Sequence, residues 1–423
     1  MRRIGQAMRN LVVALGVTVA LSGAATAWAQ TQITFWHVFD AGPAAEFIDG
    51  VISDFNAANP DIKVTHLGTN FWDYWTRLTT ATAGGIGPDV AMNDLGNVPS
   101  RADMGVIRAL DEFLGDSGLD AYWPATQAAV KWEGSTYALP LETDVRVLFY
   151  NKALFQAAGL DPEAPPTTWD ELVAASDALT VVEGGRIQQL GFGPTLGNTY
   201  FPLYAMLNGE DLQTDDGSLK FDTPAAIEAL QWMVDRQNAY GSRAMTSFAA
   251  TFGSGASDPF ISGKVAMIIQ NNTFPGQIAQ YAPDLDYGVA LLPNNGTSTS
   301  WSNGFSLEMS ASTKAPEAAW RLMEYLMSPE VQHAYASTNL SMVGNIAAAE
   351  SPDLMANPNW QVFVEQMGTS AFRPFSLEAP AWYDTALQPE VDAALLGTKT
   401  PEQALQDAQR SYENEVRRFR ETN

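Results

Sequence analysis

One alternation constrains this chain more than any other feature: strand-like and helix-like segments follow one another, stop, and start again on either side of Ala138–Lys152, ALPLETDVRVLFYNK. Gln32–Trp36 reads as a strand, followed by a helix with Phe47, Ile48, Val51, Ile52 and Phe55 on one face, closed by Asn59-Pro60. Ile62–Thr65 is a second strand, Tyr74–Ala83 a helix ending at Gly84-Gly85, and Pro88–Met92 a third strand. Such alternation predicts an α/β fold with a parallel sheet. After Val145–Tyr150 it resumes with a helix from Lys152, a capping box at Thr168-Trp169-Asp170-Glu171, and a helix from Thr223-Pro224 to Gly241. Lys264–Gln270 and Tyr287–Leu291 supply further strands, so the chain describes two α/β lobes. Glu142 and Asp144 interrupt the apolar run that joins them. A desolvated carboxylate is costly without donors or a counter-charge. Ligand hydroxyls could be those donors, or Arg146, two positions on and on the same strand face, could neutralise Asp144.

Residues 1–29 read differently from the rest. Arg2, Arg3 and Arg9 precede an apolar stretch from Leu11 to Leu21 and an Ala27-Trp28-Ala29 cleavage pattern, which predicts an export signal. No cysteine follows that pattern to carry a lipid, and the chain contains none at all, which excludes disulfides, thiolate metal sites and a cysteine nucleophile. The expected location is the periplasm, without a lipid anchor. The formal charge is −25. Removing the leader takes away three arginines and no acid, leaving −28, a surface that repels nucleic acid and anionic lipid.

Much catalytic chemistry is missing from the sequence. His37, His66 and His333 form no metal-ligand motif, there is no Gly-x-Ser-x-Gly elbow or phosphate loop, and no metal or cofactor is expected. Glu142 with Asp144, or Asp89 with Asp94, are nominal pairs for a secreted glycoside hydrolase. What recurs instead is aromatic and amide side chains at predicted strand ends. The candidates for ligand contact are Trp36, His37, Trp72, Asn93, Asp94, Asn198, Tyr200, Asn272, Phe274, Trp301, Asn303 and Trp382. Sugars need this combination, because a pyranose offers a C–H face for stacking and a belt of hydroxyls for carboxylates and amides. In open α/β sheets such loops line the crevice beyond the strands' carboxyl ends.

With these residues in view, the chain resembles the bacterial extracellular solute-binding proteins, the family that includes maltose-binding and glycerol-3-phosphate-binding proteins. The resemblance rests on Ile33–His37, Gly87–Val90 followed by Met104–Ile107, Trp132–Pro140, Val147–Lys152, Pro166–Leu172, Gly263–Met267, Ala315–Trp320 and Gly397–Ala404. It implies a two-lobed clamp with discontinuous domains: residues 30–143 plus 303–351 in one lobe, 144–302 plus 352–423 in the other, with a hinge at Pro140–Asp144. It also implies a monomer without catalytic activity that delivers a small carbohydrate to the permease of an ABC importer. By the same resemblance Asp40 and Asp144 fall on carboxylates that bind sugar hydroxyls, and Trp382 on an aromatic that stacks on sugar. Asn93 and Thr273-Phe274 stand where maltose-binding protein has stacking tryptophans. Arg373 could serve an anionic head group, so glycerol-3-phosphate or a glycerophosphodiester is the alternative ligand.

Overall fold

The interrupted run is one continuous strand that changes partners halfway. A computed structural model describes residues 30–422 apart from 116, 117, 215, 216 and 340. The expected export signal at 1–29 lies outside the described residues.

The strands in chain order are β1 (Thr31–His37), β2 (Ile62–Gly68), β3 (Val90–Asp94), β4 (Lys131–Trp132), β5 (Ser135–Thr136) and β6 (Ala138–Asn151). They continue with β7 (Val181–Glu183), β8 (Arg186–Gly197), β9 (Val265–Asn271), β10 (Tyr287–Ala290), β11 (Trp301–Met309) and β12 (Ala371–Phe372). β4 and β5 form a small hairpin of their own. The remaining strands run in the order β2-β1-β3-β11-β6-β9-β8-β7, with β10 also on β6 and β12 on β11. Ala138–Val145 of β6 pairs with β11, whereas Arg146–Tyr150 pairs with β9 and Leu148–Asn151 with β10. β6 therefore belongs to both lobes.

The sheet is mixed rather than parallel. β1 is parallel to β2 and β3, but β11 returns from the second lobe and lies antiparallel to both β3 and β6. At the crossing the register of β11 against β6 slips between Phe305 and Ser306, leaving Leu141 as an extra residue on β6. Such a bulge bends a strand and re-aims its side chains. Gly304 next to it has φ 144°, and a Cβ there would sit 2.1 Å from the Glu142 carbonyl oxygen, so only glycine fits. On the other edge of β6, Thr143 N–H donates to the Met342 carbonyl at 2.9 Å.

Burial follows the strand period. In β1, Ile33, Phe35 and His37 point inward, and Ile33 and Phe35 share a core with Ile48, Ile52 and Phe55 of α1 (Gly42–Ala58). The other face of this half-sheet carries α2 (Phe71–Ala83) and α3 (Val98–Asp103). Two further cores flank the second half-sheet. One holds Leu148, Phe192, Met267 and Trp382; the other holds Phe149, Ile268, Phe274 and Phe363, together with Met342, Val343 and Ala349. The helix Trp169–Leu179 begins with the expected capping box, Glu171 N–H donating to Thr168 Oγ1 at 3.2 Å and Thr168 N–H to Glu171 Oε2 at 3.3 Å.

Candidate ligand site at the crossing of the lobes

The geometry of the crossing is set by Arg146, which is 5% exposed and whose side chain joins three chain segments. Its Nη1 donates to Asp144 Oδ1 at 2.5 Å and to the Trp301 carbonyl at 3.1 Å; Nε and Nη2 donate to Asn198 Oδ1 at 3.3 and 3.1 Å. Asp144 Oδ1 also accepts from Asn303 N–H at 2.8 Å. Its second oxygen accepts nothing among the described residues, and the side chain is 21% exposed. The pairing with Arg146 and an open acceptor therefore coexist: Oδ1 is structural, while Oδ2 is available to a ligand hydroxyl.

Glu142 behaves otherwise. Its Oε2 accepts from Tyr335 O–H and its Oε1 from Ser341 O–H, both at 2.6 Å. Desolvation of this part-buried carboxyl pushes its pKa up, the two hydroxyl donors pull it back, and nearby Asp144 adds to the rise. Both oxygens already have protein partners, so its main role here is to tie β6 to the helix Pro329–Asn339.

Two aromatic walls flank the crossing. In the second lobe Tyr200 packs on Trp301 at 5.5 Å between centroids and meets the edge of Tyr383 at 5.7 Å. In the first lobe Phe305 stacks on Trp75 at 6.3 Å, and Phe71 stands edge-on to both Trp75 and Trp72. Trp72 is 81% exposed. Phe305 lies opposite Glu142 on one side and Asp94 on the other, which brings this cluster to the hinge strand. Asp94, at the carboxyl end of β3, accepts from Arg373 Nη2 at 3.1 Å and from Asn97 Nδ2 at 3.3 Å. A Cβ at Gly96 would meet the Arg373 guanidinium at 2.4 Å, so glycine is what lets Arg373 lie there.

Several sequence candidates are placed elsewhere. Trp36 lies on the outer side of β1 under the Arg77 guanidinium, 5.3 Å from its ring. His37 is buried, shares a 3.0 Å contact between its Nε2 and His66 Nδ1, and has its pKa lowered to about 4, by burial first and His66 second. Asn93 donates to Glu308 and accepts from Asp94 N–H, and Asn272 accepts from Val145 N–H at 3.0 Å. Phe274 is fully buried against Phe149, and Trp382 stacks on Phe221 in the core at 5.4 Å. One step from Trp382, it is Tyr383 that meets the edge of Tyr200. Asp40 is exposed in the loop before α1. Phe305 and the buried pair Arg101–Glu308 are missing from the sequence reading, since no local pattern marks partners 207 positions apart.

Neither proposed catalytic pair survives as free carboxylates. Asp89 accepts from Thr34 N–H, Thr34 O–H and Thr313 O–H, which locks it between β1 and the segment after β11. Among the described residues no group of three or more histidines and acids could hold a metal, and no helix is long and apolar enough to cross a membrane.

Against known proteins, the family model described as bacterial extracellular solute-binding protein matches residues 50–362. The chain belongs to that family. A binding protein of Brucella abortus is 26% identical over 92% of this solute-binding protein and 94% of the relative. The sn-glycerol-3-phosphate-binding periplasmic protein of Yersinia pseudotuberculosis is 26% identical, with 97% and 98% covered. These relatives are binding proteins rather than enzymes. A binding protein solved with mannotriose superposes with a TM-score of 0.78 at 29% identity, covering 90% of this chain and all of that one. A solute-binding protein of Thermotoga lettingae solved with α-D-tagatose gives 0.75 at 29%, with 92% and 100% covered. At 21% identity, the sugar-binding protein MalE of Xanthomonas citri shares the fold, with a TM-score of 0.78 and 92% and 98% covered.

Proposed function

We propose that this solute-binding protein captures a neutral carbohydrate where the lobes cross and delivers it to an ABC importer, without catalysis. The observation that carries the reading is that the arginines at the crossing are already neutralised, Arg146 by Asp144 and Arg373 by Asp94, while Asp144 Oδ2 stays open beside aromatic faces. A neutral polyol can use that acceptor and those rings without breaking an ion pair. Relatives solved with mannotriose and tagatose support the same ligand class. Contacts from both lobes would favour the closed state.

The second reading, glycerol-3-phosphate or a diester of it, is favoured by one feature: Arg373 is about one-third exposed and could exchange Asp94 for a phosphate. Titration calorimetry with mannotriose, maltotriose, tagatose and glycerol-3-phosphate tests both. Saturable one-to-one heat with a neutral sugar and none with the phosphate is expected; the reverse would replace the reading, and turnover of an oligosaccharide would point to a hydrolase. For location, removal of residues 1–29 on export to the periplasm is expected, and the N-terminus of the protein recovered from a periplasmic extract checks it.

A further inference from the structure

A cavity of about 550 Å³ opens between α2 and α3, entirely within the first lobe. Its size is that of a small-molecule site, roughly 300–1,000 Å³. Trp75, Leu78, Ala91, Met104, Val106 and Ile107 give it mostly apolar walls. Its polar end includes Asp94, which accepts from Arg373 at the crossing, and Asn97, which donates to Asp94, so the cavity and the candidate ligand site are neighbours.

Arg101 and Glu308 sit at that junction. Arg101 Nε donates to Glu308 Oε2 at 2.8 Å, Nη2 donates to the Asp94 carbonyl at 2.7 Å and to Glu308, and Glu308 Oε2 also accepts from Asn93 at 3.0 Å. Arg101 Nη1 has no partner among the described residues. The pair is electrically neutral, and it leaves the two N–H groups of Nη1 for an occupant of the cavity, which Arg101 lines. An occupant that satisfies them brings an oxygen at the junction and an apolar body behind it. A free sugar does not match walls of this kind, because its hydroxyls would lose water without gaining partners.

We infer that this cavity receives the apolar aglycone of a glycoside: the sugar lies at the crossing, its glycosidic oxygen accepts from Arg101 Nη1, and an alkyl or aryl group fills the space between α2 and α3. This rests on the carbohydrate reading above and specifies which carbohydrates bind best.

The test is calorimetry with matched pairs of methyl and p-nitrophenyl glycosides of glucose, mannose and galactose, on the full chain and on two variants that plug the cavity from exposed positions of α2, Thr79→Trp and Ala83→Trp. Burying an aromatic group in an apolar site should tighten binding by roughly tenfold or more for at least one p-nitrophenyl glycoside over its methyl partner. Either plug should abolish that gain while leaving the methyl glycoside affinity unchanged. Equal affinity of methyl and aryl forms for the wild-type protein overturns the inference and leaves the carbohydrate reading standing. A gain that persists in both plugged variants places the aryl group elsewhere and also overturns it. Binding of neither form to any sugar overturns both.

Discussion

Two of the arginine–carboxylate pairs in this molecule, Arg101–Glu308 and Arg146–Asp144, differ in what they leave open. Arg101–Glu308 sits inside the first lobe, with Glu308 1% exposed and both of its oxygens bonded, to Arg101, Asn93 and Ser306. Arg146–Asp144 sits at the crossing, and there one carboxylate oxygen faces outward. Burying two charges costs several kcal/mol, which their attraction repays only when the remaining lone pairs and protons also find partners. In the first pair the carboxylate is complete and the guanidinium is not. In the second every guanidinium nitrogen has a partner, while among the described residues one carboxylate oxygen has none. The same chemistry thus presents a donor to an apolar cavity in one place and an acceptor to solvent in the other.

The sharpest way to break this comparison is to remove one partner of the more buried pair. Glu308→Ala leaves Arg101 without its counter-charge and should cost about 3–5 kcal/mol of stability, measured by urea unfolding. Glu308→Ala together with Arg101→Met should recover much of that loss, since no buried charge then remains unpaired. A single variant that unfolds at the wild-type midpoint would mean that water already solvates Arg101.

His37 is a buried titratable group whose ring partner is another imidazole, His66, rather than a carboxylate. Its folded pKa of about 4 lies below the ordinary 6.5, so the unfolded chain binds the proton more readily. Stability attached to this group is therefore complete above pH 6.5 and is lost as the pH falls toward 4, by an amount of order 2–3 kcal/mol. His37→Phe should flatten that part of the pH–stability curve. Glu142 slopes the opposite way: its raised folded pKa makes the folded state the better proton binder, so its contribution falls as pH rises through the ordinary 4.5 toward the folded value. Glu142→Gln should remove the decline, read from urea unfolding across the same pH range.

Legibility from sequence follows the range of the interaction. The two α/β lobes and the joining strand were readable because period, caps and turns act within a few residues, and Asp144–Arg146 was readable because partners two apart on a strand share a face. The parallel sheet was not, because the direction of β11 depends on a return from the other lobe. Phe274 and Trp382 look like ligand platforms in a string of aromatics and amides, yet packing on Phe149 and Phe221 decides their fate. Arg101 and Glu308 could not be matched at all without coordinates.

At the crossing, Asp144→Asn keeps an oxygen for Arg146 but removes the charge from both roles. Ligand affinity should fall by about 1.5–3 kcal/mol, the worth of a hydrogen bond to a charged group, while the unliganded protein loses less because Asn303 N–H and Trp301 still hold the segment. Calorimetry and thermal unfolding of the same samples separate the two. A large loss of unliganded stability with affinity intact would make the pair wholly structural, like Arg101–Glu308.

The smallest effect concerns the two aromatic walls, and it asks which of them meets the ligand. Trp72 is mostly exposed and touches little beyond Phe71, whereas Tyr200 is held between Trp301 and Tyr383. Stacking on a sugar face is most effective when the ring is already held in place, because less side-chain freedom is lost on binding. Tyr200→Ala should therefore weaken binding by about 1 kcal/mol, and Trp72→Ala by less, with neither shifting the unliganded melting temperature much. If Trp72→Ala weakens binding more, the first-lobe wall closes onto the ligand and Trp72 becomes ordered only then. Fluorescence of a Trp72-retaining variant with Trp301→Phe would show this as ligand-dependent quenching.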